Sequence, residues 1–306
     1  MRFSVRAGPF FLLVLLLGSA IFANYLRKNL FTGHNEDASD FGKSGRSPLK
    51  TQEMVTVVPG ECDSLSRGKF DKIYEQGKWS VKLLQPSDFY GYAYWPPKES
   101  RKKSASGRGS ELGKYTTASL QIVIDTIKNY GATSMIDIPC GDVNWILDSF
   151  ETDSLPVYLG MDVTLAVIEV NQQRFAHHRN KKILFWDATE CPLPKFRFGS
   201  NTASHAFDIV HVRDVIQHLT LGQGVRFFCN VFTSGARVLI ATTFPEGKNI
   251  DIEEGSYYQN DLTKEPFLFP KSDDCVATHP EAEEDITCVY NLTAAGWMQS
   301  FVERKC

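Results

Sequence analysis

The sequence has little of what marks several large protein classes. Its 306 residues hold 33 Lys and Arg against 36 Asp and Glu, a net charge of -3. The basic excess usual in nucleic-acid binders is therefore missing, and no nucleic-acid partner is expected. The basic residues that do cluster, Lys98, Arg101, Lys102, Lys103 and Arg108, read as a solvated loop. No internal repeat is visible. The seven cysteines show no CxxC or Cys/His spacing of a zinc site, so no metal is expected. They are too few for a disulfide scaffold but fit one or two bridges in an oxidising compartment. Cys275 and Cys288, on either side of an acidic, loop-like stretch, are the expected pair. With 42% hydrophobic and 23% charged residues, the composition is that of an ordinary globular protein.

Only one long apolar run is present, at the start. Ala7 to Leu26 has no charged residue and includes Phe10-Phe11-Leu12-Leu13-Val14-Leu15-Leu16-Leu17. About 20 apolar residues span a bilayer as a helix. Arg2 and Arg6 precede the run, Arg27 and Lys28 follow it, and the free amino terminus tips the balance towards N-terminus inside. A cleaved signal peptide is the competing reading, with Gly18-Ser19-Ala20 at the cleavage site. Either way the rest of the chain is expected in the lumen, and Asn291-Leu292-Thr293 is a glycosylation sequon usable there. The expected layout is a short cytoplasmic tail (1–6), a membrane anchor (7–26), a polar flexible stem (27–68) and a globular domain (69–306).

Within the globular part, short apolar runs alternate with helical patterns. An amphipathic helix is expected over Phe70 to Trp79 and another over Tyr115 to Tyr130. Strands are expected at Ser134–Ile138, Val157–Met161, Ile183–Phe185, Phe207–Val212 and Val238–Thr242. Helices are expected at Val143–Phe150, Leu165–His177 and Gly222–Phe232, and a last strand at Ile286–Leu292. This alternation predicts an α/β fold, a Rossmann-like doubly wound and mostly parallel sheet covered on both faces.

In such a sheet, ligands bind where strands end. The first strand ends in Asp137-Ile138-Pro139-Cys140-Gly141-Asp142, followed by Val143-Asn144-Trp145. Gly141 allows a ligand close to the backbone, and Asp142 is placed to cap the next helix. The second strand ends in Asp162, 21 residues after Gly141. A carboxylate there accepts hydrogen bonds from two ribose hydroxyls, or caps the segment from Thr164. The third is followed by Asp187, where an adenine amino group is met. No GxGxxG follows the first strand, which disfavours a nicotinamide dinucleotide.

These residues, with others downstream, carry a resemblance. The region from Phe70 to Phe269 resembles class I S-adenosylmethionine-dependent methyltransferases, in particular a subfamily with PCGD-x-NW, RD-x-x-x-HL and PF-x-x-P elements. Here they are Pro139-Cys140-Gly141-Asp142 with Asn144-Trp145, Arg213-Asp214 with His218-Leu219, and Pro266-Phe267 with Pro270; Ser106-Gly107 and Gly109-Ser110 add an upstream match. The chain departs from the broad class in keeping only Gly141 of three alternating glycines. The resemblance implies S-adenosylmethionine as cofactor, held by Asp137, Pro139, Gly141, Asp142, Trp145, Asp162 and Asp187. Anchored members of this subfamily resemble Golgi enzymes that methylate glycans. A glycan or glycoprotein substrate and a Golgi membrane location follow as expectations. A small-molecule, lipid or protein acceptor, or an inactive lumenal binding module, are the alternatives.

A hydroxyl acceptor needs a base to take its proton. His218 is the candidate, with Asp214 four residues earlier; if 214–218 is helical, the two share a face and the carboxylate orients the imidazole. A helix cap and a packed histidine are the structural alternative, and a metal site from His211, Asp214 and His218 a remote one. Tyr257, Tyr258 and Asn260, after the last parallel strand, are the candidate acceptor-binding residues.

Overall fold

The computed structural model describes residues 55–59, 70, 72, 104–111, 113, 116–146, 155–176, 178–278, 285–293 and 296–306. The expected anchor at Ala7–Leu26, nearly all of the stem and nearly all of the Phe70–Trp79 helix lie outside them. Among the described residues no helix is long and apolar enough to cross a membrane.

Nine strands and four helices are described. The strands are β1 (Val55–Val58), β2 (Ser134–Asp137), β3 (Val157–Asp162), β4 (Lys181–Phe185), β5 (Lys195–Phe198), β6 (Ile209–Val212), β7 (Val238–Thr243), β8 (Cys275–Ala277) and β9 (Ile286–Asn291). The helices are α1 (Thr117–Asn129), α2 (Leu165–Phe175), α3 (Leu221–Thr233) and α4 (Gly296–Lys305). Seven strands form one sheet in the order β4-β3-β2-β6-β7-β9-β8. The first five neighbours run parallel, and β9 is antiparallel to both β7 and β8. This is the expected doubly wound, mostly parallel sheet, with a reversed edge.

The strands read as near-continuous apolar runs because both faces are covered. Side chains alternate between them. Met135, Tyr158, Ile209 and Val238 pack with Ile122, Val123 and Ile127 of α1 and Ile168 of α2. Ile136, Leu159, Val210 and Leu239 face the other way, in the cluster that includes Phe227, Phe228 and Val231 of α3 and Phe301 of α4. Phe228 is fully buried and meets Phe267 and Phe269 edge-on at 5.6 and 4.7 Å between ring centres. Burying each such ring stabilises by roughly 1.5–3 kcal/mol. α3 starts cleanly because Thr220 and Gln223 form a capping box, each side chain accepting from the other's backbone N–H.

Three points differ from the sequence expectation. Val55–Val58, which composition assigns to the stem, is a strand paired antiparallel with Lys195–Phe198. Val55 is buried in the core, so the folded unit includes residues before Lys69. The edge strand Cys275–Ala277 is also unanticipated; its acidic surroundings hide a three-residue strand. Finally, the helix expected from Val143 does not start there: residues 143–145 are irregular or turn, and Ile146 is in 3-10 conformation. The rest of the expected Val143–Phe150 helix lies outside the described residues. Of the cysteines, Cys275 and Cys288 are bonded as expected, across paired strands. Cys229 and Cys306 form a second bridge, tying α3 to the residue after α4.

Candidate active site

Strand order turns back between β2 and β6, since β3 and β4 follow β2 on one side while β7 follows β6 on the other. At such a switch point the loops after neighbouring strands diverge and leave a crevice. A cleft with about 1030 Å³ of empty space, continuous with solvent, lies there. Its wall is made from the residues after β2, β3, β4 and β6: Asp137, Pro139 and Gly141; Asp162; Asp187; and Asp214 and His218. Trp145 lines it as well.

The loop after β2 is fixed from three sides. Its Gly141 sits at φ 52°, a left-handed conformation that glycine adopts without cost. The Cys140 N–H donates to the Met161 carbonyl. From α2, Asn171 donates to the Gly141 carbonyl at 2.7 Å and Arg174 to the Asp142 carbonyl at 2.6 Å. Val143 lies at φ 47°, which for a β-branched residue costs on the order of 1–3 kcal/mol and needs such bracing to persist.

Asp162 is buried on the cleft wall. Its two oxygens accept from the Gly141 N–H at 3.1 Å and the Thr164 N–H at 3.0 Å, which leaves lone pairs for further donors. Burial pushes its carboxyl up to about 6, with the hydrogen bonds from Gly141 and Thr164 opposing. Asp187 accepts from the N–H and hydroxyl of Thr189 through one oxygen, Oδ1. Beside it, the buried indole N–H of Trp186 has no hydrogen-bond partner among the described residues. Cys140, a free buried thiol on the same wall, is pushed well above its ordinary value by burial and by Asp162 and Asp137. It is therefore protonated and inert.

Asp137, expected to contact the cofactor, is on the cleft wall and is also bonded within the fold. Its Oδ2 accepts from the Tyr158 hydroxyl at 2.7 Å and its Oδ1 lies 2.7 Å from His211 Nδ1. His211, only 1% exposed, lines the cleft, and its Nε2 has no partner among the described residues. The Trp145 ring packs edge-on against His211 at 5.8 Å and carries the Arg213 guanidinium 5.0 Å above its centre.

His218 sits on the wall beyond β6, in a 3-10 turn, Ile216–His218. Asp214 lies at φ 53°, so 214–218 is not one α-helical turn and the spacing argument for a shared face fails. Asp214 is 3.3 Å from the Arg213 guanidinium and accepts from Gln217 at 3.4 Å. The group that orients His218 is the Ser256 carbonyl, 2.7 Å from Nδ1. A carbonyl only accepts, so the proton is on Nδ1 and Nε2 holds the lone pair. Burial lowers the affinity of His218 for a second proton, with the Ser256 contact and Asp214 acting in opposition. Asp214 thus acts on His218 through its charge and does not hold the ring.

Other expected site residues lie off the cleft wall. The Asp142 carboxylate is bound by the Ser104 hydroxyl and the Ala105 N–H, at 3.0 and 2.8 Å. It fastens the upstream Ser104–Ser110 segment to the glycine loop, and Ser106 and Ser110 reach the cleft from there. Asn260 is fully buried, with its Nδ2 3.4 Å from the Thr242 carbonyl, and Tyr258 is 3% exposed. Neither is placed to meet an acceptor, because the chain after β7 packs them inward. Tyr257, 54% exposed, does sit at the rim, 5.8 Å from the His218 ring. The wall residues to which the sequence assigned no donor- or acceptor-binding role are His211, Trp186, Arg213 and Glu254. His211 lies in register with Asp137 on the neighbouring strand, a pairing that only the fold reveals. Among the described residues no three His, Cys, Asp or Glu side chains are gathered so as to hold a metal ion.

No family model matches the chain, and no curated protein matches its sequence. Solved structures of similar fold do exist, and those compared are methyltransferases. Magnesium protoporphyrin IX methyltransferase from Synechocystis, with S-adenosylmethionine bound, is 13% identical with a TM-score of 0.40, over 56% of this chain and 76% of that one. The N-methyltransferase NodS from Bradyrhizobium japonicum, with S-adenosylhomocysteine, is 12% identical with a TM-score of 0.42, over 60% and 90%. Human N-acetylserotonin methyltransferase, with S-adenosylmethionine, is 12% identical with a TM-score of 0.41, over 57% and 52%. The chain spans about half the length of several structures it matches. At such identities and TM-scores the likeness carries no statement about the reaction.

Proposed function

We propose that this chain is an S-adenosylmethionine-dependent methyltransferase that methylates a sugar hydroxyl of a glycan, with its catalytic domain in the lumen of the secretory pathway. The observation that carries this reading is the joining of Asp162, Asp187 and His218, from three different strand ends, on one cleft wall. The wall fits the cofactor's parts. Asp162 retains acceptor capacity for a ribose diol. The buried Trp186 N–H lacks a partner among the described residues, as a donor facing an adenine ring would. Gly141 brings the backbone near enough for the chain between them.

When bound, S-adenosylmethionine supplies an activated methyl group on a sulfonium. The protein's own work is to hold the acceptor in line, exclude water and remove a proton. His218, with Nδ1 fixed on Ser256, presents Nε2 as the base, and its lowered proton affinity keeps it neutral at pH 7. The exposed Tyr257 ring beside it offers an apolar face for a sugar ring. The disulfides Cys229–Cys306 and Cys275–Cys288 suit an oxidising compartment, which supports the lumenal placement and, with the Ala7–Leu26 run, a type II Golgi anchor. Titration of the protein with S-adenosylmethionine tests the donor, and mass spectrometry of glycans released from cells with and without the gene tests the acceptor. Saturable donor binding and loss of methylated sugars are expected. Unchanged glycans would refute the acceptor class, and no donor binding would refute the enzyme reading.

A further inference from the structure

We propose that Asn291 carries an N-linked glycan, attached at the edge of the sheet opposite the cleft. This rests on the lumenal placement, because only a lumenal chain meets the glycosylating machinery. Asn291-Leu292-Thr293 is the one Asn-x-Ser/Thr triplet in the sequence. Asn291 ends β9 and pairs with Val238, the first residue of β7. The starts of β2, β3, β6 and β7 lie side by side along one edge, whereas the cleft wall is built from residues that follow the strand ends. β7 has six residues, so Asn291 stands roughly 16 Å from the cleft edge, at about 3.3 Å per residue. A glycan there leaves the cleft open.

Within the triplet the side chains divide. Leu292 is buried in the core, while Thr293 is exposed and Asn291 partly so. The Thr293 N–H and hydroxyl both donate to Asn291 Oδ1, at 2.9 and 2.8 Å. The fold thus uses only the oxygen of this side chain, a task that a carboxylate would perform as well. The amide nitrogen donates to none of the described residues, and it is not among their buried polar atoms sealed from solvent. Nδ2 is the atom that glycosylation takes. Substitution on it leaves Oδ1 an acceptor, so both Thr293 bonds survive. Beyond the turn, α4 opens on the exposed Gly296, where an added Cβ would meet nothing within 4 Å. The sugar donor is an oligosaccharide on a polyisoprenyl diphosphate. Nδ2 bonds to the anomeric carbon of its reducing-end sugar as the bond from that carbon to the diphosphate oxygen breaks. The lipid diphosphate leaves with the electron pair, and the amide nitrogen gives up one of its two protons to a base of the transferring enzyme.

The test expresses the full chain in cultured mammalian cells and treats it with peptide N-glycosidase F, which removes the glycan and hydrolyses the asparagine amide that bore it. Wild type should run faster on a denaturing gel after treatment. Digestion in 18O-water should place the heavy isotope at position 291, read by mass spectrometry of the peptide. Asn291→Gln and Thr293→Ala should show no shift, and Thr293→Ser, which keeps the hydroxyl, should restore it. The isotope measurement on wild type stands even where a variant fails to fold. A wild-type chain with neither shift nor label at 291 overturns the inference. Leu49→Asn, which completes a second triplet with Thr51 in the expected stem, separates the two ways of failing. If the stem site is glycosylated and Asn291 is not, the lumenal placement stands and this inference alone falls. If neither site is modified, the lumenal placement falls and takes this inference with it.

Discussion

Donor affinity should depend on pH through Asp162, and the sign follows from its burial. The free-carboxyl value of 3.8 is raised to about 6 in the folded protein, first by desolvation. Below that value the group is neutral, and above it the carboxylate that best accepts from two ribose hydroxyls predominates. If the donor binds the ionised form, affinity is full above pH 7 and falls as pH drops through 6. One unit below, about one molecule in eleven is ionised, so binding at pH 5 should be about tenfold weaker than at pH 8. Asp162→Asn removes the charge while keeping the shape. Trading two charge-assisted hydrogen bonds for neutral ones costs about 2 kcal/mol, roughly 30-fold at pH 8, and the pH dependence should disappear. Calorimetric titration with S-adenosylhomocysteine from pH 5 to 8 measures both. Wild-type affinity that stays flat across this range, or an Asn variant that binds like wild type at pH 8, would remove Asp162 from the ribose site.

Four further outcomes are expected. His218→Ala should bind donor within about threefold of wild type yet turn over about 10²–10⁴-fold more slowly; a variant keeping more than about a tenth of wild-type turnover at saturating donor and acceptor would refute the base role. Tyr257→Ala should raise the acceptor KM about fivefold to tenfold with little change in melting temperature, since the ring is at the surface and stacking is worth on the order of 1 kcal/mol. Asn260→Ala should do the reverse, lowering the melting temperature and leaving KM alone, and steady-state kinetics beside thermal melts tells them apart. Cys306→Ser opens the bridge to Cys229, which closes 77 residues of sequence separation. A loop of that size is worth about 4 kcal/mol, so the melting temperature should drop by about 10 °C; a drop under about 3 °C would mean the bridge adds little.

Much of the fold was legible because its signals are local. Ser134–Asp137, Val157–Asp162, Ile209–Val212 and Val238–Thr243 are buried on both faces, so each reads as an unbroken apolar run between turn residues. Polar residues at the ends of the parallel strands fall at the carboxyl edge of the sheet wherever the fold is doubly wound, which is why Asp162, Asp187 and His218 reach the cleft. Where an expectation failed, it concerned what a side chain meets. Val55–Val58 is polar enough in context to read as stem, and it is a strand only because β5 pairs with it. Asp142 has the right neighbours in sequence, yet Ser104 and Ala105, nearly forty positions earlier, take its carboxylate. Asp214 and His218 are separated by four residues, but the left-handed backbone at Asp214 breaks the helical turn that would have joined them.

The sequence by itself determined the α/β class, the alternation of strands and helices, the glycine turn and the set of acids that end the strands, because periodicity and turn chemistry act over a few residues. Only the tertiary structure decided that Asp137 faces His211, that Ser256 holds His218, and that Asn260 is core while Tyr257 is rim. Each of those depends on which strands become neighbours and how a later loop folds back. Hydrogen-bond partners are assigned by distances across the sheet, and those distances have no trace in the spacing along the chain.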